Sequence, residues 1–509
     1  MQSPTLNSWG SLFVHKHLWT FAICGLAIML PFVSRGGGVV STPTLAAFNS
    51  ALSGGGTVTF DCDGTITLTS PETISANTII DATGHSIVIS GNTNSQIFRV
   101  NSGVSLTLNT LIISDGYTRT NGGAIYNLGN VAATNCAFIG NYAIGIPGAD
   151  GASAGASGQA GSIVKGGAIF NLGSLTLSGC GFQLNYAVGG AGGTGQTGAT
   201  AGSGVGGNGG NGGAGGAAYG GAIFSSNSIS ISDCNFINNG VEGGNGGAGG
   251  WAGYGPSGYG NAGVGGQGAD GDGGALCAYK TSIVIRSTFN GQINAGGTSG
   301  TSGNGYYSAP SGLTGGNSYG SGIYNAGTNL SINCTFYANT NESGYGGSSG
   351  AAYAGQGGNG GNGGVAEGGG IYNVLRAGVT NCTFSTNVVY GGGGGTAYYY
   401  QTGTAGSPGA IGAAKGGAIG NGSGTFTLKN SILAYTISSG GSGSSGNGAG
   451  TITDAGNNIS SDTSITLNGS GSHANMNPLL MWMGVARLIW LTLLKENFVL
   501  MSSLMRRME

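Results

Sequence analysis

Charge is scarce in this sequence, and the scarcity excludes several classes of protein. Only 6% of the 509 residues are charged, against roughly 25% in ordinary globular chains. Residues 36–480 hold eight of the fourteen bases and fourteen of the sixteen acids, so this part of the chain is mildly acidic. Binding of nucleic acid requires a basic surface, and we therefore expect no nucleic-acid partner. Disorder driven by charge repulsion is also excluded.

Histidine and proline are rare as well. Of four histidines, only His85 and His473 lie beyond the N-terminal segment, which argues against a His-based triad or a zinc site. Nine prolines are too few for a collagen-like helix. Glycine is abundant instead, and its 115 copies rule out an average enzyme core and a coiled coil. We expect no cofactor.

The two ends of the chain differ in composition from its middle. Lys16 precedes an apolar run over 18–33, which is typical of an export signal, and Val39-Val40-Ser41 offers a cleavage site. An uncleaved N-terminal anchor is the alternative for residues 1–41, and either would be the only membrane association. Residues 481–509 hold five of the eight methionines and a single glycine. This abrupt change predicts a frame shift or truncation.

A repeated unit dominates residues 122–437. Its clearest copy opens with Gly166-Gly167-Ala168-Ile169-Phe170-Asn171 and closes with Cys180, Phe182 and Asn185. Seven copies begin at Gly122, Gly166, Gly220, Gly273, Gly320, Gly368 and Gly416. The aromatic position recurs as Phe138, Phe182, Phe236, Phe289, Phe336 and Phe384, with Ile432 in the last copy. Spacing held through seven copies indicates stacked structural repeats.

The pattern inside each unit predicts short strands. Ile229 and Ile231, then Cys234 and Phe236, alternate with polar residues, as in a pair of strands with alternate side chains buried. Stacked parallel strands form a β-helix with rungs about 4.8 Å apart, so Phe stacks on Phe and Asn on Asn. Separate hairpins in a sandwich are less favoured, because nothing there forces identical spacing.

Five cysteines share one position of the repeat: Cys136, Cys180, Cys234, Cys334 and Cys382. Free cysteine behaves as a small apolar residue, which favours a ladder of inward-facing thiols. Disulfides between neighbouring rungs are the alternative in an oxidising compartment.

The flanking regions read as terminal coils. In residues 42–121, Thr42-Pro43 predicts the start of a cap helix that ends near Leu52. Residues 438–480 predict the last coils, with 451–468 closing that end. Strands are predicted at 57–60, 65–69, 78–80, 86–90, 97–100 and 105–113.

Long glycine-rich inserts separate the units at 142–165, 186–219, 240–272, 293–319, 340–367 and 388–415. All leave the coil at the same corner, so we expect them along one edge. Their composition favours flexible loops. The Gly-Gly-X triplets at 206–217, 243–251 and 357–365 indicate an alternative, a layer of polyproline-II-like helices with a three-residue period.

Candidate chemical groups are few. Asp61 and Asp63 project on one strand face, and Asp81 and Arg99 would join them if they fell on adjacent coils, giving a carboxylate cluster for glycan cleavage. Solvated turn or cap positions are the favoured interpretation of these four residues. Asp270 and Asp272 in a glycine-rich loop could hold calcium through oxygen ligands, although one isolated copy is a weak signal.

Aromatic residues within the inserts are candidate binding groups. Their surroundings of small polar residues suit adaptable surface binding, including stacking against sugars. Solvated decoration of the loops is the favoured alternative. The candidates are Trp251, Tyr306, Tyr307, Tyr398, Tyr399 and Tyr400.

The paired elements Gly122–Ile125 and Phe138–Asn141 resemble the polymorphic outer-membrane protein repeat of bacterial surface proteins. The stretch from Thr57 to about Leu480, including Phe60-Asp61-Cys62-Asp63-Gly64 and Asn477-Pro478-Leu479-Leu480, resembles secreted choice-of-anchor Q domain proteins. The resemblance implies a right-handed β-helix of pectate-lyase-like shape. It supplies no catalytic residues, and the chain departs from that family after Leu480.

These observations favour an exported all-β protein with an adhesin-like or structural role at the cell surface or outside the cell. Its expected partner is a polysaccharide or another cell-surface ligand. We expect no catalysis, and the alternative is a polysaccharide lyase or glycoside hydrolase, because fold alone does not decide activity.

Overall fold

A computed structural model describes residues 36–476 apart from 400, 401 and 403. This part of the chain is a right-handed parallel β-helix, which confirms the predicted fold class. Its parallel sheets keep their strands in chain order, as expected when each coil stacks on the one before it. Most of the predicted export signal and the whole segment 481–509 lie outside the described residues.

Three sheets, named A, B and C here, form the walls of the β-helix. The strands of sheet A are Gly37–Val40, Gly56–Phe60, Thr78–Asp81, Ser105–Asn109, Asn130–Thr134, Ser174–Ser178, Ile229–Ser232, Thr281–Ile285, Thr328–Ile332, Arg376–Thr380, Thr425–Lys429 and Ile452–Asp454. The strands of sheet B are Gly64–Thr67, Ile87–Ser90, Leu111–Ser114, Ala137–Ile139, Gly181–Gln183, Asn235–Ile237, Thr288–Asn290, Thr335–Tyr337, Thr383–Ser385, Ile432–Ala434 and Ile459–Ser460. The strands of sheet C are Glu72–Ile74, Phe98–Val100, Ile125–Asn127, Ile169–Asn171, Ile223–Ser225, Leu276–Ala278, Ile323–Asn325, Ile371–Asn373, Ile419–Asn421 and Gly448–Ala449.

Two smaller parallel sheets, D and E, form the stems of the inserts. The strands of sheet D are Tyr117–Thr118, Tyr142–Ile144, Tyr186–Val188, Gly240–Glu242, Ile293–Ala295, Thr340–Glu342, Val388–Tyr390 and Ile437–Ser439. The strands of sheet E are Val164–Lys165, Ala218–Tyr219, Gly271–Asp272, Ser318–Tyr319, Ala366–Glu367 and Ala414–Lys415. An antiparallel pair, Tyr254–Gly255 with Gly258–Tyr259, lies in the third insert. The inserts therefore leave the coils along one edge, as predicted.

Phenylalanine forms a continuous column inside the β-helix. Six rings, from Phe138 to Phe384, are fully buried and stack with centroids 4.7 to 4.9 Å apart. That spacing matches the separation of adjacent strands, so each ring contacts its counterpart on the next coil. Ile229, Ile231, Cys234 and Phe236 all face this interior, which confirms the predicted alternation.

Buried asparagines form hydrogen-bonded ladders at two corners. Asn141 Nδ2 donates to Asn185 Oδ1 at 2.9 Å, and Asn185 Nδ2 donates to Asn239 Oδ1 at 2.8 Å. The same amide nitrogens also donate to main-chain carbonyls of the preceding coil, such as Phe138 O. Each amide thereby ties three coils together while its own polar atoms are satisfied.

The five repeat cysteines are buried free thiols, as the favoured interpretation predicts. The Cys180 amide donates to Cys234 Sγ at 3.4 Å, so adjacent rungs are in contact. Ser287 and Ser431 replace cysteine in two coils and accept hydrogen bonds from the same backbone position.

The structure corrects the internal layout of the repeat in two respects. Each unit supplies three wall strands and not two, because the Gly-Gly-Ala-Ile segment is itself a strand of sheet C. In the last copy Leu433, not Ile432, lies under Phe384, because the turn before Thr425 is one residue longer than its counterpart before Arg376. Thr110, with φ of 56°, also divides the strand predicted over 105–113 into two.

The N-terminal cap is a short helix, Leu45–Leu52, whose Phe48 and Ala51 are buried. Its N-cap is Thr44, whose hydroxyl accepts a hydrogen bond from the Ala47 amide, and not the predicted Thr42. The strand Gly37–Val40 pairs along its length with sheet A. The β-helix therefore includes a strand ahead of the predicted boundary at residue 41, and cleavage at Val39-Val40-Ser41 would disrupt it.

At the other end, Ile465 is buried in the main core and Leu467 packs against it. The predicted closing segment thus covers the last coil. Asp454 accepts hydrogen bonds from the amides of Gly456 and Gly469 and from the Ser472 hydroxyl, which fixes the chain over this end.

The described residues of the inserts are ordered, and for them the expectation of flexible loops is wrong. Beyond sheets D and E their described residues run outward and back as extended segments, called arms here, over 145–163, 189–217, 243–270, 296–317, 343–365 and 391–413 apart from 400, 401 and 403. Hydrogen bonds from glycine amides recur every three residues, as at Gly192, Gly195 and Gly198. This period is that of a polyproline-II-like helix, so the arms form the alternative layer predicted from the Gly-Gly-X triplets.

Each triplet uses its two glycines in different directions. Gly246 donates along the layer to Thr298 O at 2.9 Å, whereas Gly247 donates across it to Gly213 O at 2.8 Å. A Cβ atom on either glycine would lie within about 2 Å of a neighbouring carbonyl oxygen. The third residue faces solvent, and where it is Asn245 its Oδ1 accepts the Thr298 amide at 2.7 Å. At Gly246 and Gly247 the absence of a Cβ atom therefore allows the close approach of backbones that these hydrogen bonds need.

Candidate ligand-binding site

Aromatic side chains gather where the middle arms reach their outer ends. A groove of about 360 Å³ is lined by Trp251, Ala252, Tyr259, Asn304, Gly305, Tyr306 and Tyr353. These residues come from three successive arms, so the groove crosses the arms in the direction of the β-helix axis. We refer to it as the aromatic groove.

Backbone geometry sets the positions of these rings. A tight antiparallel turn pairs Tyr254 with Tyr259, and Gly258 there has a φ of +139° that favours glycine. On the next two arms, a parallel bridge between Gly305 and Ala352 sets Tyr306 beside Tyr353. The Ala354 amide donates to Tyr306 O at 2.9 Å and holds this register.

The tyrosine rings of the groove form a stack. The centroids of Tyr259 and Tyr306 are 4.1 Å apart with an interplanar angle of 3°, and those of Tyr306 and Tyr353 are 6.0 Å apart at 10°. Tyr254 and Tyr307 pack edge-on against this stack. The stacked rings support one another, so the wall they form is rigid.

Trp251 and Asn304 supply the groove with an apolar face and a polar donor. Trp251 is 59% exposed although it lines the groove, so much of its indole is accessible. Asn304 Oδ1 accepts the Ala351 amide at 2.9 Å, while no described group accepts a hydrogen bond from its Nδ2. Desolvation and the neighbouring Tyr306 raise the pKa of Tyr259 above its ordinary value, and its hydroxyl is a protonated donor at neutral pH. This combination suits a ligand with apolar faces and hydroxyl groups.

Two of the predicted aromatic candidates, Trp251 and Tyr306, line this groove, and Tyr307 packs on Tyr306. Tyr398 and Tyr399 are exposed on the last arm and do not line it. Tyr400 lies outside the described residues. The sequence interpretation missed Tyr259 and Tyr353, although each lies 47 residues from Tyr306, on a neighbouring insert.

The predicted cluster of acids with Arg99 does not form. Asp61 is exposed, and Asp81 accepts the amide and hydroxyl of Thr83, which lower its pKa. Arg99 lies on sheet C, with its guanidinium 5.0 Å from the Tyr126 ring. Asp63 lies instead before the first strand of sheet B, in a separate groove. The solvated-turn interpretation therefore describes Asp61 and Asp81.

Asp63 has a partner that the sequence interpretation missed. Its Oδ1 accepts the Ser86 amide at 2.7 Å and lies 3.4 Å from His85 Nδ1. Both side chains line an open groove of about 510 Å³ beside the start of sheet B. The register of Gly64 with Ile87 brings the two turns together, and recognising this first coil in the sequence would have revealed the pair.

Asp270 and Asp272 lie at the stem of the third arm. Asp270 accepts a hydrogen bond from the Asn317 amide at 2.7 Å. Asp272 is almost fully buried beside Cys277, and its Oδ1 has no hydrogen-bond partner among the described residues. Burial raises the pKa of both carboxyl groups, and the effect on Asp272 is large. Within the described residues, no group of three or more His, Cys, Asp or Glu side chains could hold a metal ion. The fold thus adds no acidic or histidine ligand to the proposed calcium pair.

No protein-family model matches the chain, and no curated protein matches it significantly. Among the described residues, no helix is both long enough and apolar enough to cross a membrane.

Proposed function

We propose that this protein is an exported surface protein with an adhesin-like role, which binds polysaccharide in the aromatic groove. The observation that carries the proposal is the position of that groove. It is formed by Trp251 and the tyrosine stack at the ends of arms that project from one edge of a rigid solenoid. Such a scaffold presents a binding surface away from its own body.

The composition of the chain supports a binding role over a catalytic one. Among the described residues that line the aromatic groove, there is no carboxylate, histidine or lysine that could act as a general acid or base. The resemblance to bacterial surface proteins with polymorphic outer-membrane protein repeats and choice-of-anchor Q domains supports export to the surface. It also agrees with the apolar segment over residues 18–33.

Binding of the full-length protein to immobilised polysaccharides and to intact cells tests the proposal. The double variant Trp251→Ala/Tyr306→Ala removes the exposed indole and the central ring of the stack. The matched control is Tyr345→Ala, which removes from the arm layer outside the groove a tyrosine that is 53% exposed, close to the 59% of Trp251. We expect the double variant to lose binding and the control to keep it, with unchanged circular dichroism in both. Equal binding by all three proteins would refute the role of the groove.

Glycan cleavage is a second candidate function, and the pairing of Asp63 with His85 is the observation that favours it. A carboxylate beside an imidazole can orient it as a general base, and the pair lines an open groove. Incubation with pectin, alginate and neutral glycans, followed by ultraviolet absorbance and reducing-end assays, tests this alternative. Turnover that disappears in His85→Gln and Asp63→Asn would replace the binding proposal, and no turnover would leave binding as the function.

A further inference from the structure

We propose that the ligand of the aromatic groove is an uncharged polysaccharide, and that acidic glycans such as pectate and alginate are excluded. This inference rests on the proposed function and specifies its ligand class. It follows from the distribution of charge over the arms, from the groups that line the groove and from the direction in which the groove runs.

The arms around the groove are devoid of charge. The segments 189–217, 243–269, 296–317, 343–365 and 391–413 contain no Asp, Glu, Lys, Arg or His. Apart from Asp150 on the first arm, which does not line the groove, the charged residues of the inserts lie at the stems, as in the ion pair of Lys415 with Glu367 at 2.9 Å. A uronic acid polymer bound in the groove would bring a carboxylate on each residue to a surface with no cation to receive it.

The groups that line the groove match a neutral sugar. The exposed indole of Trp251 offers a flat apolar face for the C–H surface of a pyranose ring. Asn304 Nδ2 and the hydroxyls of Tyr259 and Tyr306 can hydrogen-bond to the hydroxyl groups of the sugar. Tyr259 and Tyr306 are too close for a sugar to enter between them, so a ligand lies along the stack and not within it.

The groove favours an extended polymer over a single sugar. Its residues come from three successive arms, which stack about 4.8 Å apart. A chain that runs parallel to the β-helix axis contacts each arm in turn, so several sugar units bind at once. The arms are ordered by their mutual hydrogen bonds before any ligand arrives, which lowers the entropy lost on binding.

Affinity electrophoresis of the full-length protein tests the inference. Hydroxyethyl cellulose, xyloglucan and dextran serve as neutral probes, and polygalacturonate and alginate as acidic probes. We expect retardation by at least one neutral polymer, little change between low and high salt, and none by the acidic polymers. Trp251→Ala/Tyr306→Ala should weaken the neutral interaction about thirtyfold or more, as for the loss of an aromatic anchor. Asn304→Ala should weaken it about threefold to tenfold.

The outcomes separate the inference from the proposed function. If acidic polymers bind and the double variant abolishes their binding, the groove is the binding site and the neutral-ligand inference is wrong. If binding to any probe falls steeply with salt, a charged ligand is indicated and the inference is also wrong. If no probe binds, or if binding is equal in the double variant and in Tyr345→Ala, both the groove function and the inference fail.

Discussion

Gly247→Ala is the sharpest test of the ordered arm layer. Gly247 lies on the third arm, where its amide donates to Gly213 O at 2.8 Å. A Cβ atom at this position would lie 1.9 Å from Gly193 O and 2.5 Å from the carbonyl carbon of Gly193. Both neighbours are backbone atoms, so the clash cannot be relieved by rotating a side chain.

The size of the effect follows from the bonds that must open. Ordinary contact begins at 3.4 Å, so the arm must move by roughly 1.5 Å. That displacement breaks the bond from Gly247 to Gly213 O and strains the bond from Gly213 to Gly193 O. Two buried bonds lost or weakened cost about 2–4 kcal/mol. Alanine offsets about 0.4–1 kcal/mol of this through the lower entropy of the unfolded chain. The net loss is on the order of 2–3 kcal/mol.

Native-state amide exchange measures this loss locally, without requiring two-state unfolding of a long repeat protein. In the wild type we expect protected amides at the bonded glycines of the arms. In Gly247→Ala these amides should exchange about 30- to 150-fold faster, while sheets A, B and C keep their protection. The control is Gly202→Ala, because a Cβ atom on Gly202 meets nothing within 4 Å. Unprotected arm amides in the wild type, or equal exchange in the two variants, would refute the ordered layer.

Three further predictions concern the β-helix and its stems. Phe236→Ala should lower the free energy of unfolding by about 3–5 kcal/mol and depress the thermal midpoint, because the ring is fully buried between Phe182 and Phe289; Phe236→Leu should cost less. Burial raises the pKa of Asp272 in the folded protein well above 3.8, the ordinary pKa of the carboxyl group. The free energy of unfolding therefore falls as the pH rises from 3.8 towards the folded-state pKa, because the unfolded chain ionises first. Asp272→Asn should therefore raise the thermal midpoint at pH 8 and leave it nearly unchanged near pH 3. An equal rise of the midpoint at both pH values would show that ionisation of Asp272 is not the cause. In the native protein iodoacetamide should label the half-buried Cys62 well before the buried repeat thiols, as mass spectrometry of the peptides would show.

The β-helix could be predicted because its determinants are local and repeated. The seven copies fix which residues face inward, and Phe138 to Phe384 form the expected column. One error occurs where a single copy departs from the period. One added residue before Thr425 moves Leu433 into the place expected for Ile432, and the sequence contains no mark that tells an insertion in a turn from a change of side chain.

From the sequence, an ordered layer of arms could be predicted only as the alternative to flexible loops, for a physical reason. An isolated glycine-rich segment has no hydrogen-bond partners of its own and its composition is that of a flexible linker. Order arises because the solenoid brings six such segments into register, where Gly247 meets Gly213 and Gly193. The same holds for the groove. Trp251 and Tyr306 stand out in the sequence, but the stack with Tyr259 and Tyr353 exists only once the arms are aligned.

The arrangement of glycine and aromatic residues along the arms ties their order to binding. Fixing the backbone of one residue costs about 1–2 kcal/mol, and glycine loses more than any other residue. Arms that became ordered only on contact with a polysaccharide would draw that cost from the binding free energy. Here the hydrogen bonds between the arms form during folding and offset that cost before any ligand binds. They favour glycine at two positions in three, because a Cβ atom at a position such as Gly247 would meet a neighbouring carbonyl oxygen. In the fourth arm Ser299 and Ser302 take one of these two positions and hydrogen-bond within the layer. The third position remains free to vary, and at the outer ends Trp251 occupies it. The glycine-rich backbone of the arms therefore provides the rigidity, and the few large side chains at their outer ends provide the groove that recognises the ligand.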